Sequence, residues 1–281
     1  MSSPPVLNTA DHSRDSAGMT YVYPVLSRRA SGISIGINLN PNNACNWRCI
    51  YCQVPDLTRG SAPPIDLNLL DRELRQLLRD ILHGNFLHLR VATGAGLEDI
   101  AFSGNGEPTT AQEFPQAVAL VENAMRDFNL PGNIKLRLIT NGSQMARPKV
   151  LAAVEHLARC NGEVWFKVDA GTSAGVKHIN DVVLTPNSII KRLLGCSLAC
   201  PTWVQTCVFA LDGAPPSESE ISAWLELLTR VAPHLAGVHL YGLARPSMQA
   251  EAPRLSRLST NWMDQLATRV RLLGLTVHVS P

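Results

Sequence analysis

Residues 42–52 read Asn42-Asn43-Ala44-Cys45-Asn46-Trp47-Arg48-Cys49-Ile50-Tyr51-Cys52, which puts three thiols in a C-x3-C-x2-C run. Thiolates are soft, strong metal ligands, and three on one short loop form a compact donor set. A structural zinc site uses four ligands, usually as two separated pairs, and neither a second C-x2-C nor an H-x3-H lies nearby. Three thiolates on a cubane iron-sulfur cluster leave one iron without a protein ligand, an open position where a small molecule can bind. A three-cysteine zinc site completed by a distant histidine is the plainer alternative.

Other polar segments fall where strands are expected to end. Ser103-Gly104-Asn105-Gly106-Glu107-Pro108-Thr109 has glycines that let backbone come close to a ligand, although a plain strand-to-helix loop would look similar. Thr140-Asn141-Gly142 and Lys167-Val168-Asp169-Ala170-Gly171 offer amide, ammonium and carboxylate groups. Capping and turn formation are the alternatives for these.

The elements that must position these groups alternate in kind. Short β-branched or apolar runs at 32–40, 99–105, 134–141, 163–170, 203–211 and 237–243 read as strands. Segments of helical period lie between and after them, at 66–82, 113–128, 148–159, 187–195, 218–231 and 260–273. Pro148 just inside one helix, Ser217 with Glu220 three residues on, and Gly274 after the last are start and stop signals. Residues 276–279 add a short final strand. Six βα units without a dinucleotide glycine fingerprint predict an α/β chain, a partial (β/α)6 TIM-like barrel whose active groups sit at the C-terminal strand ends. The cysteine loop follows the first of those strands. Residues 1–30 are polar and weakly periodic and are expected to form an N-terminal arm, with 31–281 as the barrel domain.

With 25 Lys+Arg against 23 Asp+Glu in 281 residues, the net charge of +2 is too balanced for a dedicated DNA binder. A chain 45% hydrophobic and 17% charged can bury a full core, which excludes disorder. Seven cysteines without a secretory leader favour reduced thiols over a disulfide framework. No apolar run is long enough to span a membrane, so the expectation is a cytoplasmic protein.

C-x3-C-x2-C with Tyr51 before the last cysteine resembles the signature of the radical S-adenosylmethionine (radical SAM) superfamily. That resemblance implies a 4Fe-4S cluster on Cys45, Cys49 and Cys52, with SAM chelating the fourth iron. It also implies an electron donor such as flavodoxin or ferredoxin, and reductive cleavage of SAM to a 5′-deoxyadenosyl radical that takes a hydrogen atom from substrate. Residues 103–109 resemble the superfamily's Gly-Gly-Glu segment, so Gly104, Asn105, Gly106 and Glu107 are expected at the SAM amino group. Tyr51, Asn141, Lys167 and Asp169 are expected among the other SAM contacts. On this reading Gly106→Val weakens SAM binding and leaves iron content intact. The order of 24–29, 34–38, 49–53, 102–109 and 138–143 resembles the short wyosine-synthesis-type group of iron-sulfur oxidoreductases, over about residues 22–250. The sequence departs from the tRNA-modifying members in having no cysteine within residues 1–44.

Cys196, Cys200 and Cys207 resemble an auxiliary-cluster spacing, but Cys207 falls in an apolar run where a free cysteine acts as a small hydrophobe. One cluster, and so about four irons per chain, is expected. Arg28, Arg29 and Arg245 are candidates for an anionic substrate or solvated charges. His178, His234, His239 and His278 lack ligand spacing. The substrate is open, RNA or a small molecule. Two other readings stand beside the first: a radical-installing activase of a partner protein, and a non-catalytic metal- or RNA-binding module.

Overall fold

The computed structural model describes residues 6–7, 17–27, 32–91 and 94–281. In chain order the strands are β1 Val22–Ser27, β2 Gly32–Ile37, β3 Ala44–Cys45, β4 Thr58–Arg59, β5 Leu97–Phe102, β6 Lys135–Thr140 and β7 Gly162–Lys167. They continue with β8 Thr202–Cys207, β9 Ala210–Leu211, β10 Gly237–Tyr241, β11 Leu255–Ser256 and β12 Val277–Ser280. The helices are α1 Leu67–His83, α2 Phe86–Arg90, α3 Phe114–Asp127, α4 Pro148–Arg159, α5 Ser173–Asn180, α6 Pro186–Ala199, α7 Glu218–Thr229 and α8 Thr260–Arg271.

One eight-stranded sheet runs β1-β2-β5-β6-β7-β8-β10-β12. From β2 to β12 every pairing is parallel, and the strand order follows the chain, as right-handed βα crossovers require. The curled sheet does not close among the described residues, so the architecture is the expected partial barrel, with β1 and β12 at its two ends. Among the described residues no helix is long and apolar enough to cross a membrane.

The helices begin where short polar side chains can accept a free backbone N–H. Asp66, Thr172, Thr185, Ser217 and Ser259 each cap one in this way. Gly274, at φ +79°, makes the left-handed turn after α8 that glycine takes without strain. Glu220 does not complete a capping box with Ser217; its carboxylate accepts from Thr172 instead.

One feature departs from expectation at the edge of the sheet. Val22–Ser27, assigned to the arm, is an antiparallel strand in register with β2, Val22 opposite Ile37 and Ser27 opposite Gly32. Gly36 makes this possible, because a Cβ there would meet the Tyr23 ring lying over it. Arm residues 1–5, 8–16 and 28–30 lie outside the described residues, and Arg28 and Arg29 with them.

The sheet is two-faced. Ile33, Ile35, Ile37, Ile100, Phe102, Leu136, Leu138, Val164, Phe166, Val204 and Leu240 are buried in the main core. The alternate positions line the concave side and are largely polar: Ser34, Asp99, Arg137, Lys167 and Gln205. Ser34 donates to Asp99, and Arg137 pairs with both Asp99 and Glu163, a charged ladder across β2, β5, β6 and β7. Arg137 also lies 4.8 Å from the Trp165 ring centroid. His239 stacks between Trp165 and Trp203, at 4.5 and 4.7 Å, so it is a packed core histidine.

Candidate functional site

The concave face opens into a cavity of about 280 Å3 at the C-terminal strand ends. Cys45, Cys49, Cys52, Tyr51, Gly104, Asn105, Gly106, Glu107, Asn141 and Lys167 all line it, although they come from four separate stretches of chain. Trp47, Gln205, Tyr241 and Arg245 complete much of the wall. Arg245 therefore reaches the cavity, as expected.

The cysteine loop is shaped by asparagines. Asn43 takes the left-handed conformation at φ +53°, which asparagine tolerates. Asn40 Nδ2 donates to the Ala44 carbonyl at 3.0 Å, and Asn38 Oδ1 accepts from the backbone N–H groups of Asn40 and Asn105, both at 3.0 Å. Asn105 Nδ2 donates to Asn43 Oδ1 at 2.6 Å. These bonds tie the loop to residues 104–107. The contact is tight: a Cβ on Gly104 would meet the Asn38 side chain, and one on Gly106 would meet the Ala44 carbonyl oxygen. Asn46 bridges to the next strand end, accepting from Asn141 Nδ2 at 2.9 Å and donating to Ser143 Oγ at 2.7 Å.

The short helix α5 supports the loop from behind. Its last carbonyls have no helical partner and accept from the loop, Ile179 from the Ile50 N–H at 2.9 Å and Asn180 from the Arg48 N–H at 3.1 Å. Asn180 Nδ2 also donates to Cys49 Sγ at 3.2 Å, and the Trp47 N–H donates to Cys45 Sγ at 3.5 Å. Ser247 Oγ donates to the carbonyls of Ile50 at 2.7 Å and Cys52 at 3.1 Å.

Two buried carboxylates hold the frame. Glu107, 2% exposed, accepts from Thr140 Oγ1 and the Asn141 N–H, both at 2.6 Å, and from Thr109. Burial raises its pKa against the pull of those donors. Its carboxylate therefore joins the ends of β5 and β6. Asp169 sits beneath the loop, away from the cavity wall. It accepts from Tyr51 OH at 2.5 Å, Asn180 Nδ2 at 2.8 Å and the Cys207 N–H at 3.0 Å. Lys167 Nζ lies 3.8 Å from Asp169, donates to Tyr241 OH at 2.9 Å and stands 4.9 Å from the Tyr51 ring centroid. Burial alone would lower the Lys167 pKa; Asp169, Tyr241 and Cys49 outweigh it and hold the ammonium charged.

Burial pushes the Cys45 thiol up to about 11 and the Cys49 thiol up to about 12, Lys167 opposing the shift at Cys49. A bound metal would reverse that, because it selects the thiolate. A lone tetrahedral zinc ion holds sulfurs roughly 3.8 Å apart. The three motif cysteines do not all have their sulfurs within 4.8 Å of one another.

Cys196, Cys200 and Cys207 are not brought together. Cys196 contacts Thr202 Oγ1 and Cys200 the Gly162 carbonyl, both at 3.5 Å, at the N-terminal ends of β7 and β8. Cys207 is at the other end of β8, roughly 17 Å away at ~3.3 Å per residue. All seven cysteines are free thiols.

The sequence reading passed over Asn38, Asn40, Asn180, Gln205 and the Ser34–Asp99–Arg137–Glu163 ladder. For the ladder a signal existed: polar residues at every second position of runs otherwise apolar. Gln205 is 1% exposed, and its Nε2 on the cavity wall has no hydrogen-bond partner.

No family model matches the chain. It is 22% identical over 262 residues to a tRNA-2-methylthio-N(6)-dimethylallyladenosine synthase from Chloroflexus aurantiacus, covering 87% of this chain and 52% of that protein. It is 24% identical over 127 residues to a GTPase Obg from Brachyspira hyodysenteriae, covering 45% of this chain and 16% of that protein. The chain thus spans about half or less of the curated relatives it matches, and it contains no G-x4-G-K-[ST] phosphate loop. Among solved structures, a radical SAM methyltransferase from Sphaerobacter thermophilus superposes with a TM-score of 0.56 at 14% identity, covering 92% of this chain and 68% of that one. The chain therefore has the partial-barrel fold of that radical SAM enzyme, with a three-cysteine loop at the mouth of the half-barrel.

Proposed function

We propose that the barrel domain expected over residues 31–281, together with strand β1, forms a radical SAM enzyme domain holding one 4Fe-4S cluster on Cys45, Cys49 and Cys52. The observation that carries this is the meeting of all three thiols with residues 104–107 on one cavity wall at the C-terminal strand ends. When bound, the cluster and SAM would supply one-electron cleavage of the sulfonium and a 5′-deoxyadenosyl radical.

The chain's own residues do the positioning. Asn180 and the Trp47 N–H donate to cysteine sulfurs, and such bonds favour the thiolate and raise a cluster's potential. Residues 104–107 would present backbone to the SAM amino group. Glu107 and Asp169 act by holding the strand ends and the cysteine loop, since their carboxylates are spent on protein donors. Lys167, Asn141 and Tyr51 remain as candidate SAM contacts on the wall. Gln205 offers an amide donor to whatever occupies the cavity floor. The ordered motifs over residues 22–250 support the short wyosine-type group within the superfamily. The test is anaerobic reconstitution with SAM and a reductant such as dithionite, followed by assay for 5′-deoxyadenosine. A colourless, zinc-loaded protein that forms none would overturn the reading.

The structure revises one expected result. Because a Cβ on Gly106 would meet the Ala44 carbonyl beside Cys45, Gly106→Val displaces the cysteine loop. It is expected to lose iron together with SAM binding, read by iron analysis and equilibrium dialysis. Iron content at the wild-type level would show that the loop yields without cost.

Iron content also tests cluster number. With Cys207 at the far end of β8 from Cys196 and Cys200, wild type should hold about four irons. Cys196→Ala/Cys200→Ala should hold the same amount; a wild-type value near eight, halved in that variant, would show a second cluster.

A further inference from the structure

A separate group of metal-binding side chains lies on the outer helices. Glu122 belongs to α3, while His156 lies in the last turn of α4 and Cys160 caps it, four residues on and on the same helix face. One ligand atom from each lies within 4.8 Å of the other two, and this is the one such trio found among the described residues. His156 Nε2 is 2.5 Å from Glu122 Oε2. The Cys160 thiol contacts the same carboxylate and the His156 carbonyl, the latter at 3.3 Å. A hydrogen bond between His156 and Glu122 needs no thiol beside it.

We propose that Glu122, His156 and Cys160 bind one divalent transition-metal ion of the zinc class, with water in the fourth position. The donors argue for the class. A thiolate selects against magnesium and calcium, and one sulfur, one imidazole and one carboxylate match a three-ligand zinc site. Tetrahedral bonds of ~2.0–2.3 Å place ligand atoms roughly 3.3–3.8 Å apart, so small side-chain rotations suffice. The side chains of His156 and Glu122 are 33% and 35% exposed, which leaves an entry path and room for water. As the metal bonds form, the thiol proton leaves to solvent, and the hydrogen on His156 Nε2 that faces Glu122 is given up as well, to solvent or, by a tautomer shift, to Nδ1. A dication with one thiolate and one carboxylate is neutral, so the neighbouring cations Arg126 and Arg159 face no net charge.

The site is independent of the cysteine loop. Cys160 stands two residues before Gly162, the first residue of β7, whereas the loop lies at the C-terminal strand ends. A six-residue strand separates them by roughly 20 Å. A bound ion would clamp α3 to α4 at the foot of the half-barrel.

Zinc analysis of the cluster-loaded chain, after anaerobic exposure to Zn2+ and gel filtration, tests this. One zinc per chain is expected, and His156→Ala/Cys160→Ser should lose it while iron content and the circular dichroism spectrum stay unchanged. The Cys45→Ala/Cys49→Ala/Cys52→Ala chain should still take one Co2+ and show thiolate-to-cobalt absorption, abolished by adding Cys160→Ser. Should the double variant misfold, Glu122→Gln is expected to lose the zinc in its place. No zinc retained by folded wild type, or zinc undiminished in folded His156→Ala/Cys160→Ser, overturns the proposal.

Discussion

On the proposed reading, Cys49→Ala is expected to hold no cluster iron after reconstitution and to form no 5′-deoxyadenosine. A cubane held by three thiolates has no spare protein ligand, and an alanine methyl supplies no donor in its place. Cys49 is also the thiol most firmly built into the frame. Asn180 donates to its sulfur, the neighbouring Arg48 and Ile50 N–H groups bond α5, and Lys167 lies close enough to oppose the burial cost of its charge. Cys160, Cys196 and Cys200 cannot replace it, since they lie on an outer helix or at the N-terminal strand ends; Cys207 lines the same cavity but is 3% exposed and packed at the end of β8, its N–H bonded to Asp169. Cys45→Ala and Cys52→Ala should behave alike, with Cys196→Ala as a control that keeps wild-type iron. The measurements are iron and sulfide analysis after reconstitution, and chromatographic assay of 5′-deoxyadenosine. Product formed by Cys49→Ala at the wild-type rate would falsify the cluster assignment.

Asp169→Ala unfolds the mouth of the half-barrel even though the side chain never reaches the cavity. The variant strips the acceptor from Tyr51 OH, Asn180 Nδ2 and the Cys207 N–H and leaves buried Lys167 without its carboxylate neighbour. Removing one member of a buried charge pair costs about 3–5 kcal/mol. In a chain of this size that corresponds to a Tm lower by roughly 10 °C. Thermal denaturation of the cluster-free protein reads the effect directly, and reconstitution should then give less iron because α5 and the cysteine loop have lost their common anchor. Asp169→Asn separates charge from shape. Its oxygen can still accept from the Cys207 N–H, but its amide then faces the donors Tyr51 OH and Asn180 Nδ2, so it should fall between wild type and Asp169→Ala. A Tm unchanged in Asp169→Ala would show that the three bonds hold nothing.

The chemistry of the cysteine run is local, and the sequence by itself determined it: three donors on one loop after a strand need no distant partner to be recognised. The alternation of elements was equally legible, because each βα unit carries its own period and its own boundary residues, as Pro148, Ser217 and Gly274 illustrate. Strand β1 was not legible. Its residues 22–27 look like arm until Gly36 of β2 makes space for the Tyr23 ring, a fact of pairing rather than of the segment. Helix α5 is eight residues long and contains Gly175, too little to announce itself, and its C-terminal carbonyls find their donors in the cysteine loop more than a hundred residues earlier. The same distance hid the role of Asp169, which sequence placed among the ligand contacts and the fold turned toward Tyr51, Asn180 and Cys207. Glu122 and Cys160 meet for a similar reason, since only the packing of α3 on α4 decides which outward faces touch. Chain order thus states which groups a segment offers; curling the sheet decides which of them share a cavity, because side chains from different strands converge only when the concave face forms.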